Sequence, residues 1–157
     1  MAADIESNQF SASQISEMTA SVFSQMFNLT VQLSDSGCNF ADSSATVTSC
    51  VQISGDWVGA VIFQTPRELA AKITSALFME EAATLADEDI HDAMGEVGNV
   101  LAGNLKASLP GSSTLALPSV TAGTDYSIDV RGCHPITRVA FECESLPFTV
   151  TVLHKNP

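Results

Sequence analysis

Glu96 and Asn99 stand one helical turn apart in the run Asp92-Ala93-Met94-Gly95-Glu96-Val97-Gly98-Asn99-Val100-Leu101-Ala102-Gly103-Asn104. A carboxamide offers an acceptor oxygen and two donor hydrogens, so it can hold a water molecule in place without acting as a base. An ionised carboxylate only accepts, and its natural complement is a cation. Each helical residue advances about 100°. Asp92, Glu96, Asn99 and Gly103 then fall within roughly 60° of one another as one polar stripe. Ile90, Met94, Val97, Leu101 and Leu105 fall on the opposite side, at the spacing of a buried face. Gly95, Gly98 and Gly103 surround the pair. Each mid-helix glycine costs about 1 kcal/mol relative to alanine. Close approach of another surface is a reason for a helix to carry three.

A stripe of this kind needs a rigid helix beneath it. Asp87-Glu88-Asp89 opens that helix, with three carboxylates complementing the positive end of its dipole. The spacing there is not that of a calcium-binding loop. Pro110-Gly111 closes the helix. Upstream, Ile15, Met18, Val22, Met26 and Leu29 recur at helical spacing and predict a helix from Phe10 to about Leu29, capped by Ser11 or Ser13. A polar stretch from Ser34 to Ser44 reads as a loop. Thr46–Ile53 and Trp57–Gln64 read as a hairpin around Ser54-Gly55-Asp56. Thr65-Pro66-Arg67-Glu68 reads as a helix start, with Thr65 as cap, Pro66 in the first position and Glu68 completing a capping box; this helix should reach about Met79. Ser119–Thr121 and Tyr126–Val130 read as short strands, and Ile136–Glu144 with Phe148–Leu153 as a second hairpin. Helices separated by antiparallel hairpins predict an α+β fold. We expect one domain over residues 10–157, an antiparallel sheet with two long helices packed on it, preceded by a flexible polar segment 1–9.

Asp92-x-x-x-Glu96-x-x-Asn99 on a glycine-flanked helix, followed by Ala102-Gly103 and by the proline-led Pro118-Ser119-Val120, resembles the CheC/CheX/FliY phosphatases of bacterial chemotaxis. The single copy of the motif and the chain length are most similar to CheX. The segment between helix and proline is a few residues shorter than the family's, and beyond these residues the likeness is one of pattern. Ser13-x-x-x-Glu17-x-x-Ala20 on the first helix repeats the spacing that two-site members carry twice, but Ala20 stands where the amide would be. No site is assigned there.

The resemblance implies a phosphatase acting on the aspartyl phosphate of a CheY-like response regulator, with Glu96 and Asn99 as catalytic residues. Phosphoryl transfer asks mainly for positioning and charge neutralisation. Asn99 would orient the attacking water, as a glutamine does in Ras-type hydrolysis. A bare carboxylate beside a phosphoryl group is repulsive unless a cation accompanies it. The chain has no Gly-rich loop with lysine, no arginine near the motif and no metal triad, so no cofactor of its own is expected. The cations would be the Mg2+ and the lysine of the phosphorylated receiver. Glu96 would bind that lysine, Asp92 would border the contact, and Gly95, Gly98 and Gly103 would admit the receiver closely.

The 157 residues, 45% apolar, suit one domain with a sizeable core. A net charge of -12 argues against nucleic acid and anionic membranes as partners, since both demand a basic face. No apolar stretch approaches the ~20 residues of a membrane span, and no export signal is visible. Cys38, Cys50, Cys133 and Cys143 show neither C-x-x-C nor zinc spacing, as expected of reduced thiols in a cytoplasmic protein. His91, His134 and His154 lack ligand spacing; His91 is expected to be exposed, Trp57 to pack, and Asn104 to make a structural hydrogen bond. The competing readings are a non-catalytic module that docks on a receiver or a flagellar switch component, and an acidic structural domain whose stripe is only solvated. The resemblance also implies a homodimer. Val139, Phe141 and Cys143 with Phe148, Val150 and Val152 offer apolar strand face for it.

Overall fold

The protein is described here by a computed structural model, which covers residues 10–35 and 45–155. The expected flexible segment 1–9, Cys38 and most of the predicted 34–44 loop lie outside these. Helix α1 (Ala12–Val22) is capped by Ser11, whose hydroxyl oxygen accepts the Gln14 N–H at 3.2 Å. It runs on through a π-helical turn, Phe23–Phe27, and closes at Asn28 with φ 55°. There follow β1 (Val31–Leu33), β2 (Thr46–Gly55), β3 (Gly59–Pro66), α2 (Arg67–Phe78), α3 (Asp87–Ala107), β4 (Ser113–Leu115), β5 (Ser119–Gly123), β6 (Cys133–Cys143) and β7 (Leu146–Lys155).

The seven strands form one antiparallel sheet in the order β1-β6-β7-β3-β2-β4, and β5 also pairs with β2. Side chains alternate between the two faces of a strand. Val47, Val51, Val61, Phe63, Phe141, Phe148, Val150 and Val152 are all buried on one face, where they join the apolar sides of the three helices in one core. The rings of Phe23, Phe148 and Phe141 stack in sequence, with centroids 4.8 Å and 4.9 Å apart. The fold is the single-domain α+β arrangement anticipated, with α1 as a third helical contributor to the layer.

Four local expectations are corrected. Thr65 does not cap α2: it is the penultimate residue of β3, buried, with its hydroxyl unpartnered. Pro66 occupies the cap position at φ -65° and ψ 151°, still paired with Thr46, while the Arg67 N–H donates to Ala45 O at 2.9 Å. The strand ladder therefore continues into the residues that a capping box would need. Trp57 precedes β3 rather than beginning it; it is buried and stacks on His154 at 4.9 Å.

Tyr126–Val130 is no strand. Positive φ at Gly123 and Asp125 bends the chain out of the ladder. The segment lies across the outer face of β2 instead. The Tyr126 hydroxyl pairs with the hydroxyls of Thr46 and Thr48 at 2.8 Å and 2.7 Å. Ile128 and Val130 pack on a small second cluster of Cys50, Ala60 and Leu153.

The apolar strand face offered as dimer surface is occupied within the chain. Val139, Phe141, Cys143, Phe148, Val150 and Val152 are each 5% exposed or less and belong to the core. Those residues are therefore not available to a sheet-mediated dimer.

Candidate functional site

Helix α3 begins at Asp87, and the Asp89 carboxylate accepts the Ala86 N–H at 2.9 Å. Three acids in this first turn favour the helix dipole. Asp87 also meets Arg67 of α2 at 2.6 Å, tying the two helix starts together at the surface. Ile90, Met94, Val97, Leu101 and Leu105 are 4% exposed or less, so the helix is rotated as its periodicity requires. Asp92 and Glu96 are exposed and Asn99 is half-buried on the opposite side.

These polar residues open on a shallow depression of about 510 Å3. His91, Asp92, Gly95, Glu96 and Asn99 of α3 form one wall. Leu117, Pro118 and Val120, leading into β5, form the other. The second wall is fixed to β2: Val120 is registered opposite Ser49, and the Ala116 N–H donates to Gln52 O at 2.9 Å. The helical wall rests on the same strand.

The three glycines have three different situations. A Cβ on Gly95 would meet Val120 Cγ2 at 3.6 Å and Pro118 Cγ at 3.7 Å. Gly95 is thus the point of the helical wall that faces Pro118 and Val120, and its missing side chain leaves the depression open between them. Gly98 is buried and turned to the sheet; a Cβ there would come within 3.0 Å of Ser49 Cβ and 3.4 Å of Val51 Cγ2. Its missing side chain lets α3 approach β2, so the expectation that Gly98 faces a partner is corrected. Gly103 has nothing within 4 Å of an added Cβ and does not line the depression.

Among the described residues no lysine or arginine lines the depression, which therefore presents carboxylates without a countercharge. Arg67 is engaged by Asp87, and Lys72 by Glu144 at 2.8 Å. The Glu144 hydrogen bond and then its charge push the Lys72 pKa up. Among the described residues no group of three or more His, Cys, Asp and Glu is placed to hold a metal ion. Asn104 is exposed and its amide donates to Val100 O at 3.0 Å, a local helix contact outside the site. His91, expected to be exposed, is partly covered and borders the depression. Sequence reasoning missed Leu117 and Val120 as wall residues. The proline between them was the available signal, because it marks where the chain turns into β5 beside the helix.

Such a site, on this sheet and helix order, can be compared with known proteins. Residues 47–142 match the family described as "Chemotaxis phosphatase CheX". The chain belongs to the CheX family. The matched region runs from β2 nearly to the end of β6 and contains the whole of α3. No curated protein sequence matches significantly. Among solved structures, CheX from Vibrio vulnificus is 17% identical, with 88% of this chain and 91% of that one covered at a TM-score of 0.71. CheX from Desulfovibrio desulfuricans is 22% identical, covering 90% and 96% at 0.69. The CheX chain in a CheX-CheY-BeF3-Mg complex from Borrelia burgdorferi is 20% identical, covering 90% and 96% at 0.63. At these identities the structures show a shared fold. Membership of a family of chemotaxis phosphatases places this CheX-family chain among hydrolases in general. None of its described helices is long and apolar enough to cross a membrane.

Proposed function

We propose that this CheX-family protein hydrolyses the aspartyl phosphate of a CheY-like receiver domain. In this reading the receiver docks over the depression. Asn99 enters the receiver's site and holds a water in line with the phosphorus. Water attacks phosphorus, the bond between phosphorus and the aspartyl oxygen breaks, and inorganic phosphate and the free aspartate leave. The catalytic power lies in positioning, which is what phosphoryl transfer mainly requires. Glu96 accepts a charge-assisted hydrogen bond from the receiver's lysine, a contact worth about 1.5–3 kcal/mol when sheltered. Asp92 borders the contact, and Mg2+ belongs to the receiver.

The observation that carries the reading is the pairing of Glu96 and Asn99 on one depression that has carboxylates and no cation of its own. A site built this way is complete only against a partner that brings positive charge. The Borrelia burgdorferi complex, whose CheX shares this fold, has CheY, BeF3 and Mg2+ together and supports a receiver as that partner. A two-fold dimer remains an expectation of the resemblance alone.

The test is to add the protein to a phosphorylated CheY-like receiver and follow release of inorganic phosphate. An enzyme speeds release. A receiver-docking module without catalysis slows it or leaves it unchanged while binding, and a structural domain does not bind.

A further inference from the structure

Leu117 is 90% exposed. Of the large apolar side chains left in solvent among the described residues, the others are Leu33, Phe78 and Met79, and none of these lines the depression that holds Glu96 and Asn99. Leu117 does. Its position is also held. It lies in the three-residue bridge between β4 and β5, both of which pair with β2. The Ala116 N–H before it donates to Gln52 O at 2.9 Å. The ring of Pro118 after it restricts Leu117 itself to extended backbone. A leucine fixed on a short, twice-anchored bridge and pointed at water contributes nothing to this chain's core. It does offer an apolar knob whose backbone is already held before any partner arrives, which lowers the backbone entropy lost on docking.

We propose that Leu117 is the hydrophobic anchor by which the protein seats the phosphorylated receiver, and that it selects among receivers. The inference rests on the phosphatase reading above and adds the apolar half of the contact. Glu96 and Asp92 supply charge at one wall of the depression, and exposed charge contacts contribute little discrimination once salt screens them. Leu117 stands on the other wall. The fitting partner therefore carries a basic group and an apolar hollow side by side. A receiver with the lysine but a polar surface beside it is a poor substrate.

The experiment uses full-length protein and CheY-like receivers of the same organism, charged with beryllofluoride and Mg2+ for binding and with phosphate for turnover. Leu117→Ser and Leu117→Asp are compared with wild type and with Leu117→Ile. Thermal unfolding should be unchanged, since the side chain touches little. Binding of the charged receiver should weaken about tenfold in Leu117→Ser and further in Leu117→Asp. KM should rise in step while kcat at saturating receiver holds, and Leu117→Ile should restore most of the affinity. Wild-type affinity and KM in both polar variants would overturn the anchor and leave the phosphatase reading standing. A wild-type protein that neither binds nor dephosphorylates any receiver would overturn both.

Discussion

Gly98 of α3 sits so close to Ser49 of β2 that one added methyl carbon would lie 3.0 Å from the Ser49 Cβ. The Ser49 hydroxyl is buried and has no hydrogen-bond partner. Alanine at position 98 gains about 1 kcal/mol of helix propensity and meets an overpacking cost of about 1–3 kcal/mol. The clash should win, because Ser49 lies on a strand held on both sides, opposite Phe63 and Val120, and cannot retreat. Gly98→Ala should lower the melting temperature, and Ser49→Ala combined with it should recover part of the loss. Thermal melts of the two single variants and the double variant decide this; a Gly98→Ala protein as stable as wild type refutes the packing argument.

Gly103 gives the opposite expectation on the same helix. Nothing lies within 4 Å of its missing side chain. Gly103→Ala should stabilise the protein by up to about 1 kcal/mol. If the glycine also admits the receiver, the same variant should show a raised KM. An unchanged KM with raised stability would remove Gly103 from the contact.

Asn99→Ala should abolish acceleration of phosphate release while leaving affinity for a beryllofluoride-charged receiver nearly intact. The water loses its holder, but the docking surface remains. Loss of one such positioning group costs on the order of a hundredfold or more in rate. Stopped-flow measurement of receiver dephosphorylation reads it directly, and a variant with most of its activity would sink the mechanism.

Glu96→Lys should bind charged receiver more weakly than Glu96→Ala, because reversal opposes the partner's lysine. The wild-type rate at sub-saturating receiver should fall as salt rises, since the contact is screened over about 8–10 Å at physiological ionic strength. Glu96→Lys acting like wild type at limiting receiver would exclude this pairing.

Two thiols carry a pH dependence. Burial first, then the neighbouring Cys133, pushes the Cys50 pKa up; burial first, then Glu144, raises that of Cys143, with Lys72 opposing. The folded chain thus holds these protons more tightly than the unfolded chain. Their contribution to stability is complete below the ordinary thiol value of about 8.5 and is lost as pH rises beyond it. Melting temperature should fall across that alkaline range, and the fall should shrink in Cys50→Ala. A flat profile would show that neither thiol is protected.

The helix that carries the site was legible because its pattern is local. Asp87-Glu88-Asp89 opens it, and Ile90, Met94, Val97, Leu101 and Leu105 fix its rotation, so Asp92, Glu96 and Asn99 had to share the other side. What was illegible depends on distant partners. Val31–Leu33 is a strand only because Cys143, Glu142 and Phe141 lie beside it, and Ser113–Leu115 only because of Ile53–Gly55. Tyr126–Val130 alternates as a strand would, yet the Tyr126 hydroxyl and the Cys50 cluster draw it onto a sheet face. The orientation of Gly98 was inferred from cost alone, and cost does not say which neighbour made it necessary.

Both walls of the depression rest on β2, but they reach it across different lengths of chain. The pairing of β2 with β3 closes a tight turn, Ile53 opposite Gly59, whereas Val120 must return across all of α2 and α3 to meet Ser49. Local contacts form readily, and pairings of high sequence separation carry a larger closure cost. A newly made chain is therefore expected to carry the polar stripe of α3 before Val120 closes the hollow opposite it. A fragment ending at Leu115 would lack Leu117, Pro118 and Val120, the whole of the wall opposite Glu96 and Asn99.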